Sequence, residues 1–421
     1  MNRTLYSALL YLLLPLLLLY LTFRALKSAD YRHRWGERFG LTALKQTDLL
    51  IHSVSMGETL AAIPLIKQLM AQYPKLSITV TTTSPTGSAE VVKALGDTVQ
   101  HCYLPFDLPW SIKRFLKQIQ PRHCIIMETE LWPNLVHQAK KHGVQLMLAN
   151  ARLSEKSAQQ YSKWPKLTTP MLRSLDGIAA QSAQAAERFI ALGVAPEKVQ
   201  VCGSLKFDLT IDQTHIDKAM ALRSDWQRKE IPVWVAGSVH PGEFEAIIAA
   251  HQNLLIRYPE ALLVMVPRHP EQFELAASRI KAAGLSLARR SRKEQVDLST
   301  QVMLGDTMGE LLSFYGAADQ AFVGGSLIVH GGHNPLEPAA LGLPVYMGPN
   351  YRDFAEIAQM LRDAGALALV SSADDLSFHL TEKFDDKAAY LVAREAGLKV
   401  VEANRGALTK QLAMACRIIE V

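Results

Sequence analysis

The stretch Gln320-Ala321-Phe322-Val323-Gly324-Gly325-Ser326, with His330-Gly331-Gly332-His333-Asn334-Pro335-Leu336-Glu337-Pro338 just after it, decides the fold. A short apolar run ends in paired glycines. After a second glycine pair the chain restarts at Asn-Pro, a favourable cap and first position for a helix. The pattern predicts a strand that empties into a loop opening a helix. Such a junction offers backbone N–H groups, little side-chain bulk and a positive dipole end, so it suits an anionic ligand. The plainer reading is turn chemistry, with Glu337 completing a capping box from Asn334.

Outward from this junction, short apolar runs alternate with segments of helical period along most of the chain. Strands are predicted at Asp48–Ser55, Ile78–Thr83, Val99–Leu104, His123–Glu130, Gln145–Asn150, Gly177–Gln181 and Val199–Gly203. Helices such as Thr59–Gln72 and Pro133–His142 separate most of them. After a charged, helix-like stretch around Ile211–Lys229 the alternation resumes. Its strands are Pro232–Gly237, Ala261–Pro267, Gln301–Gly305, Gln320–Val323, Pro344–Met347 and Ala366–Val370. This is the signature of two doubly wound α/β sheets. No self-similarity between the halves stands out, so the boundary near Phe207 rests on pattern alone. The expected division is an anchor over 1–30, one Rossmann-like domain over 31–206, a second over 207–386, and a helical segment over 387–421. Two such domains facing one another would leave a cleft lined by strand carboxyl ends.

The chain has 421 residues, 49% of them hydrophobic and 20% charged, enough for two domains that each bury a core. A formal charge of +5 is too weak to argue for nucleic acid and compatible with anionic substrates or an anionic membrane face. Cys102, Cys124, Cys202 and Cys416 are scattered without a C-x-x-C pair, which suggests neither a zinc site nor a disulfide framework. Tyr6 to Phe23 is almost wholly apolar and uncharged, roughly 18 residues, near the minimum for a membrane span. Pro15 leaves an interfacial or re-entrant helix open. Arg24, Lys27, Arg32, Arg34 and Arg38 follow as a basic collar. It places the remaining chain in the cytoplasm and is expected to lie against anionic headgroups.

Several strand ends carry chemistry. Ser55-Met56-Gly57-Glu58-Thr59 follows the first strand and offers Glu58 as a proton acceptor, although Ser55 and Glu58 also have capping-box spacing. Met127-Glu128-Thr129-Glu130 ends another strand, and alternation would put Glu128 and Glu130 on one face if the strand reaches that far. Arg152 closes the next strand and can meet a phosphate or one of those acids. Gly203-Ser204-Leu205-Lys206-Phe207-Asp208 offers Lys206 to a phosphate or carboxylate, or to an ion pair with Asp208. Arg268 in Pro267-Arg268-His269-Pro270 is shaped for a phosphate. Thr307 and Glu310 repeat the capping-box spacing. The absence of G-x-G-x-x-G argues against a dinucleotide-dependent dehydrogenase.

Taken together, these stretches resemble the 3-deoxy-D-manno-oct-2-ulosonic acid (Kdo) transferases of Gram-negative lipopolysaccharide synthesis. The matching segments are 31–38, 52–58, 128–133, 150–153, 203–208, 266–270, 305–311 and 322–337, in order along the chain. The resemblance implies a GT-B fold, CMP-Kdo as donor, a lipid A precursor (lipid IVA) as acceptor, inversion at the anomeric centre and no metal or other cofactor. It implies that Glu58 is the proton acceptor and that Glu128 and Lys206 stabilise the transition state. It also implies CMP contacts from Arg268, His269, Met308, Gly309, Glu310, Asn334, Pro335, Leu336 and Glu337. The expected setting is the bacterial inner membrane, with the anchor holding the catalytic domains on its cytoplasmic side. A related enzyme using a UDP-sugar, and a membrane-tethered nucleotide-binding protein without catalysis, are the rival readings.

Overall fold

The computed structural model describes every residue except Ser28, Thr210 and Val421, together with the side chains of Lys27 and Ala29. The chain forms two compact units, one of residues 1–208 and 405–421, the other of residues 209–404. The single helical segment expected over 387–421 is two helices. Lys387–Ala403 belongs to the second unit and Ala407–Ile419 to the first. Helical period alone does not say which core a helix joins.

The first unit is built on seven parallel strands: β1 (Leu49–His52), β2 (Ile78–Thr82), β3 (Gln100–Tyr103), β4 (His123–Met127), β5 (Gln145–Ala151), β6 (Gly177–Ala180) and β7 (Val199–Val201). Their order across the sheet is β3-β2-β1-β4-β5-β6-β7. Side chains alternate between the two faces. Leu50, Cys124, Ile126, Leu146 and Leu148 enter one core, while Leu49, Ile51, Ile125, Met127 and Met147 enter the other. Both faces are therefore covered, which is why these strands read as unbroken apolar runs. The second core is completed by Ala407, Met414, Ala415 and Cys416 of the C-terminal helix.

The second unit repeats the plan with β8 (Val233–Val239), β9 (Leu262–Pro267), β10 (Leu287–Arg289), β11 (Val302–Leu304), β12 (Gln320–Val323), β13 (Val345–Met347) and β14 (Leu367–Leu369). The order is β10-β11-β9-β8-β12-β13-β14. Trp234, Ala236, Leu263 and Met265 face one core; Val233, Val235, Leu262 and Val264 face the other. Strand β10 is absent from the sequence reading. It is a three-residue edge strand running into Arg289 and Arg290, with no apolar run to announce it. Strand β4 stops at Met127, short of the predicted Glu130, because Glu128 turns to φ +52°.

In sheets of this kind ligands bind where the strand order reverses. In the first unit that point lies between β1, which pairs with β2, and β4 on its other side. In the second it lies between β8, which pairs with β9, and β12.

The basic collar divides. Arg34 bonds Glu37 at 2.8 Å and the Ser88 hydroxyl at 2.8 Å. Arg38 is 6% exposed, with its guanidinium 4.2 Å from the centre of the Tyr103 ring. Arg38 is buried and Arg34, half-buried, is engaged by the fold, so the expectation that the whole collar meets headgroups is corrected. Tyr103, the last residue of β3, donates its N–H to Glu37 Oε2 at 2.8 Å, and its ring receives both guanidinium groups. Arg24 and Arg32 remain at the surface end of the N-terminal helix, and the Lys27 side chain lies outside the described residues.

Candidate active site

At the reversal point of the first unit, β1 passes through Ser53 and Val54 into the helix Met56–Gln72. Ser55 caps that helix, its hydroxyl accepting the Glu58 N–H at 3.3 Å. The Ser55 hydroxyl also donates to Glu58 Oε1 at 2.8 Å, and the Val54 N–H donates to Oε2 at 2.8 Å. The predicted box is present, with the carboxylate reaching one residue further back than the usual N-cap amide. Glu58 is 8% exposed. Burial raises its pKa; the two hydrogen bonds oppose this, and the Glu128 charge adds to it.

Glu128 and Glu130 come close to Glu58 by a turn, not by strand alternation. The Glu128 N–H donates to Ala149 O at 2.8 Å and the Glu130 N–H to Met127 O at 3.3 Å. Burial, with Glu58 and Glu128 nearby, pushes the Glu130 carboxyl up to about 7. Glu130 in turn adds to the burial that holds the Tyr161 phenol up at about 12. Arg152 receives the Thr129 hydroxyl on its carbonyl at 2.9 Å.

Lys206 lies on the turn after β7, its Nζ 3.9 Å from Glu128 Oε1. It pairs with Glu128, not with Asp208. Asp208 instead accepts the Gly406 N–H at 2.7 Å and also the Leu408 N–H, holding the start of the C-terminal helix. The Lys206 turn is fixed from below. Asn150, fully buried at φ +51°, accepts the Leu205 N–H at 3.0 Å. Gln411 accepts the Asn150 N–H at 2.8 Å and donates to Gly203 O at 3.0 Å.

The reversal point of the second unit is held by Glu243, which is fully buried. Its Oε2 accepts the N–H groups of His240 at 3.0 Å and Gly325 at 2.8 Å; its Oε1 accepts those of Ser326 and Leu327, each at 3.0 Å. The loop after β12 thereby closes onto the loop after β8. Gly324 is obligatory there, since a Cβ would collide with the backbone of Ser238 and Val239. The glycine pair does make turns, as the plainer reading held, but those turns serve this clamp.

Four histidines gather beside it. His240 Nε2 is 2.8 Å from His333 Nε2, and the His240 ring centre is 4.3 Å from that of His330 and 5.6 Å from that of His269. Burial, with the neighbouring imidazoles and Arg268, lowers His240 to about 4 and His333 to about 3, so both are neutral near pH 7. Ligand atoms of His240, His330 and His333 lie within 4.8 Å of one another. Among the described residues these three could hold a metal ion.

The other predicted residues of this unit divide by what they expose. Arg268 follows β9, its N–H bonded to Val239 O at 3.0 Å, and its charge opposes the burial that raises the Glu337 pKa. Asn334 donates to Glu337 Oε1 at 3.4 Å and accepts the Leu336 N–H at 3.1 Å. The helix itself starts one residue later than predicted, as Leu336–Ala340 with Pro335 at its cap. Leu336 is fully buried and offers a ligand only its backbone. Met308 is 60% exposed and Gly309 sits at φ +85°. Glu310 is not the far end of a capping box. It receives Arg290 at 2.8 and 3.1 Å and the Thr307 hydroxyl at 2.5 Å, while standing itself at the cap of Leu311–Gly316.

His240 and Glu243 are missing from the sequence reading, yet a signal for them exists. Ser238-Val239-His240-Pro241-Gly242-Glu243 repeats Ser53-Val54-Ser55-Met56-Gly57-Glu58 at four of six positions, and both stand at the carboxyl end of the first strand of a sheet. In both units the closing Glu turns back onto the backbone before it. This corrects the expectation of no self-similarity between the halves.

Comparison with known proteins agrees with the resemblance. Residues 33–209 match the family described as 3-Deoxy-D-manno-octulosonic-acid transferase (kdotransferase). A 3-deoxy-D-manno-octulosonic acid transferase of Haemophilus influenzae is 43% identical over 98% of this chain and 97% of its own. That of Bordetella pertussis is 35% identical over 87% of each. Among solved structures, the UDP-GlcNAc 2-epimerase of Neisseria meningitidis bound to UDP-GlcNAc superposes with a TM-score of 0.57, covering 87% of this chain and 100% of its own. At 14% identity that likeness concerns the fold alone, two Rossmann-like units of the GT-B kind.

Proposed function

Because this chain belongs to the 3-deoxy-D-manno-octulosonic acid transferase family, we propose that it moves Kdo from CMP-Kdo to a lipid A precursor with inversion at the anomeric centre. The observation that carries the reading is the Glu58 carboxylate, buried at the reversal point of the first sheet and held by two hydrogen bonds. A raised pKa makes this carboxylate a stronger base than a solvated one. An acceptor hydroxyl oxygen forms the new bond to the ketosidic carbon, and its proton passes to Glu58. The bond from that carbon to the phosphate oxygen breaks, and CMP departs with the electron pair. CMP leaves readily as an anion, so no general acid is required. Charge that develops in the transition state is offset by Glu128 and Lys206.

In the second unit Arg268 and His269 would receive the phosphate, and Glu337 would accept hydrogen bonds from ribose hydroxyls. The Glu310 carboxylate is engaged by Arg290 and Thr307, so the turn Met308–Glu310 would serve through its backbone. The apolar helix Arg3–Lys27 and the cations after it support a place at the cytoplasmic face of the bacterial inner membrane.

The test is incubation of the purified protein with CMP-Kdo and a tetraacylated, bisphosphorylated lipid A precursor, followed by mass spectrometry. The acceptor should gain the mass of Kdo as CMP is released. Transfer from a UDP-sugar and none from CMP-Kdo would reject the donor. Treatment with a chelator should leave the rate unchanged; a loss restored by added metal would give His240, His330 and His333 a role this reading denies them.

A further inference from the structure

The N-terminal helix is apolar enough to cross a bilayer by length and composition, and at 25 residues it is about 37 Å long. A crossing helix has its two ends on opposite sides of the membrane. Here the start of the helix is bound to the same folded unit that its end leads into.

At the start of the helix, the Arg3 guanidinium donates to Asn134 Oδ1 at 3.3 Å and the Ser7 hydroxyl to the same oxygen at 3.0 Å. The Tyr6 hydroxyl donates to Asp107 Oδ2 at 3.1 Å. The receiving groups are built into the fold. Asp107 is 5% exposed and also accepts the N–H groups of Asn134 and Leu135 at 2.9 and 2.7 Å, while Asn134 is fully buried and donates to Asp107 O at 2.7 Å. At the far end, Arg24 donates to the Tyr31 hydroxyl at 2.6 Å and stacks over its ring, and Arg32 donates to Ala25 O at 2.9 Å.

Between these ends one stripe is turned inward. Ser7 and Leu21 are buried, and Leu10, Leu14, Leu17 and Arg24 are half-buried, at spacings of three and four. The remaining circumference is bare hydrocarbon: Leu12 is 75% exposed, Leu16 61%, Leu19 66% and Leu26 74%. A surface of that kind does not stay in water. Beside the dock, the helix Pro109–Ile119 begins two residues after Asp107. It presents Trp110, Lys113, Arg114 and Lys117 as one exposed stripe. An interfacial Trp with three cations is the chemistry of an anionic headgroup layer.

We propose that this helix does not cross the bilayer. It lies along the first unit with its bare face sunk into the acyl region of a single, anionic leaflet, so that Arg3 and Arg24 stay on the same side. The inference deepens the membrane part of the proposed function and rests on it; the transfer chemistry does not depend on it.

The four native cysteines are buried, so an introduced thiol can report topology. The full chain would carry Thr4→Cys, at an exposed position in the first turn, or Lys399→Cys, on the exposed face of Lys387–Ala403. Each would be expressed in a Gram-negative host whose outer membrane is permeabilised, then treated with a membrane-impermeant maleimide. Both proteins should sediment with membranes, resist the reagent in intact cells and react after detergent lysis. Reaction of Thr4→Cys in intact cells while Lys399→Cys stays protected would show a crossing helix and overturn the inference. Recovery in the soluble fraction would overturn it together with the membrane part of the function. Kdo transfer measured in the same lysates tells these failures apart from a failure of the enzymatic reading.

Discussion

At Glu58 two effects oppose each other: hydrogen bonds from Val54 and Ser55 favour the carboxylate, and burial favours the acid. Burial wins, so the base is lost on acidification at a higher pH than a solvated glutamate would be. Turnover should therefore fall tenfold per pH unit below this raised pKa. Glu58→Gln should lower kcat by about 10²–10⁴-fold with CMP binding intact by calorimetry; a fully active variant would remove Glu58 from the chemistry. Glu130 gives a sharper sign. Its folded pKa of about 7 lies above the unfolded value of about 4.3. The stability it contributes is present below about pH 4.3 and lost as pH rises through about 7. Glu130→Gln should thus stabilise the protein at pH 8, by about 1 kcal/mol once partial exposure is discounted, and leave it unchanged at pH 4. Equal effects at both pH values in urea titrations would contradict the assignment. That Glu58, Glu128 and Lys206 each come just after a strand was legible in the sequence. The geometry joining them was not, since Glu128 leaves the strand at positive φ.

At the scale of elements, one carboxylate organises the glycine loop that opened the sequence reading. Glu243→Ala would leave four backbone N–H groups without their acceptor, a loss of about 3 kcal/mol or more. Glu243→Gln would not rescue it, because its amide would turn N–H toward N–H. Both variants should unfold at lower denaturant and be cleaved faster by protease between residues 324 and 333; wild-type behaviour in either would mean the clamp is dispensable. Thirteen of the fourteen strands were readable from apolar runs, and β10 was not because an edge strand of three residues needs no such run. The histidine cluster was hidden for another reason. His240 is separated in sequence from His330 and His333, and only the pairing of β8 with β12 brings them together.

For the whole molecule, the two sheets were legible and the route of the chain between them was not. The boundary near Phe207 is visible as a change of pattern, whereas the return at Arg405 carries no mark in a run of helical residues. That return has a measurable weight. Removing residues 405–420 would strip Ala407, Met414, Ala415 and Cys416 from the first core and free Asn150 and Asp208 from their partners. Amide exchange should then lose protection across residues 1–208 and keep it across 209–404; uniform loss, or none, would contradict the division into units.

The same return sets an order of events during synthesis. The first sheet emerges from the ribosome early, but one wall of its core is encoded after the whole second unit. At about 5–20 residues per second the nascent chain holds that open face for roughly 10–40 s before the closing helix arrives. A growing polypeptide with an uncovered apolar sheet is a client for chaperones until Ala407–Ile419 closes that face.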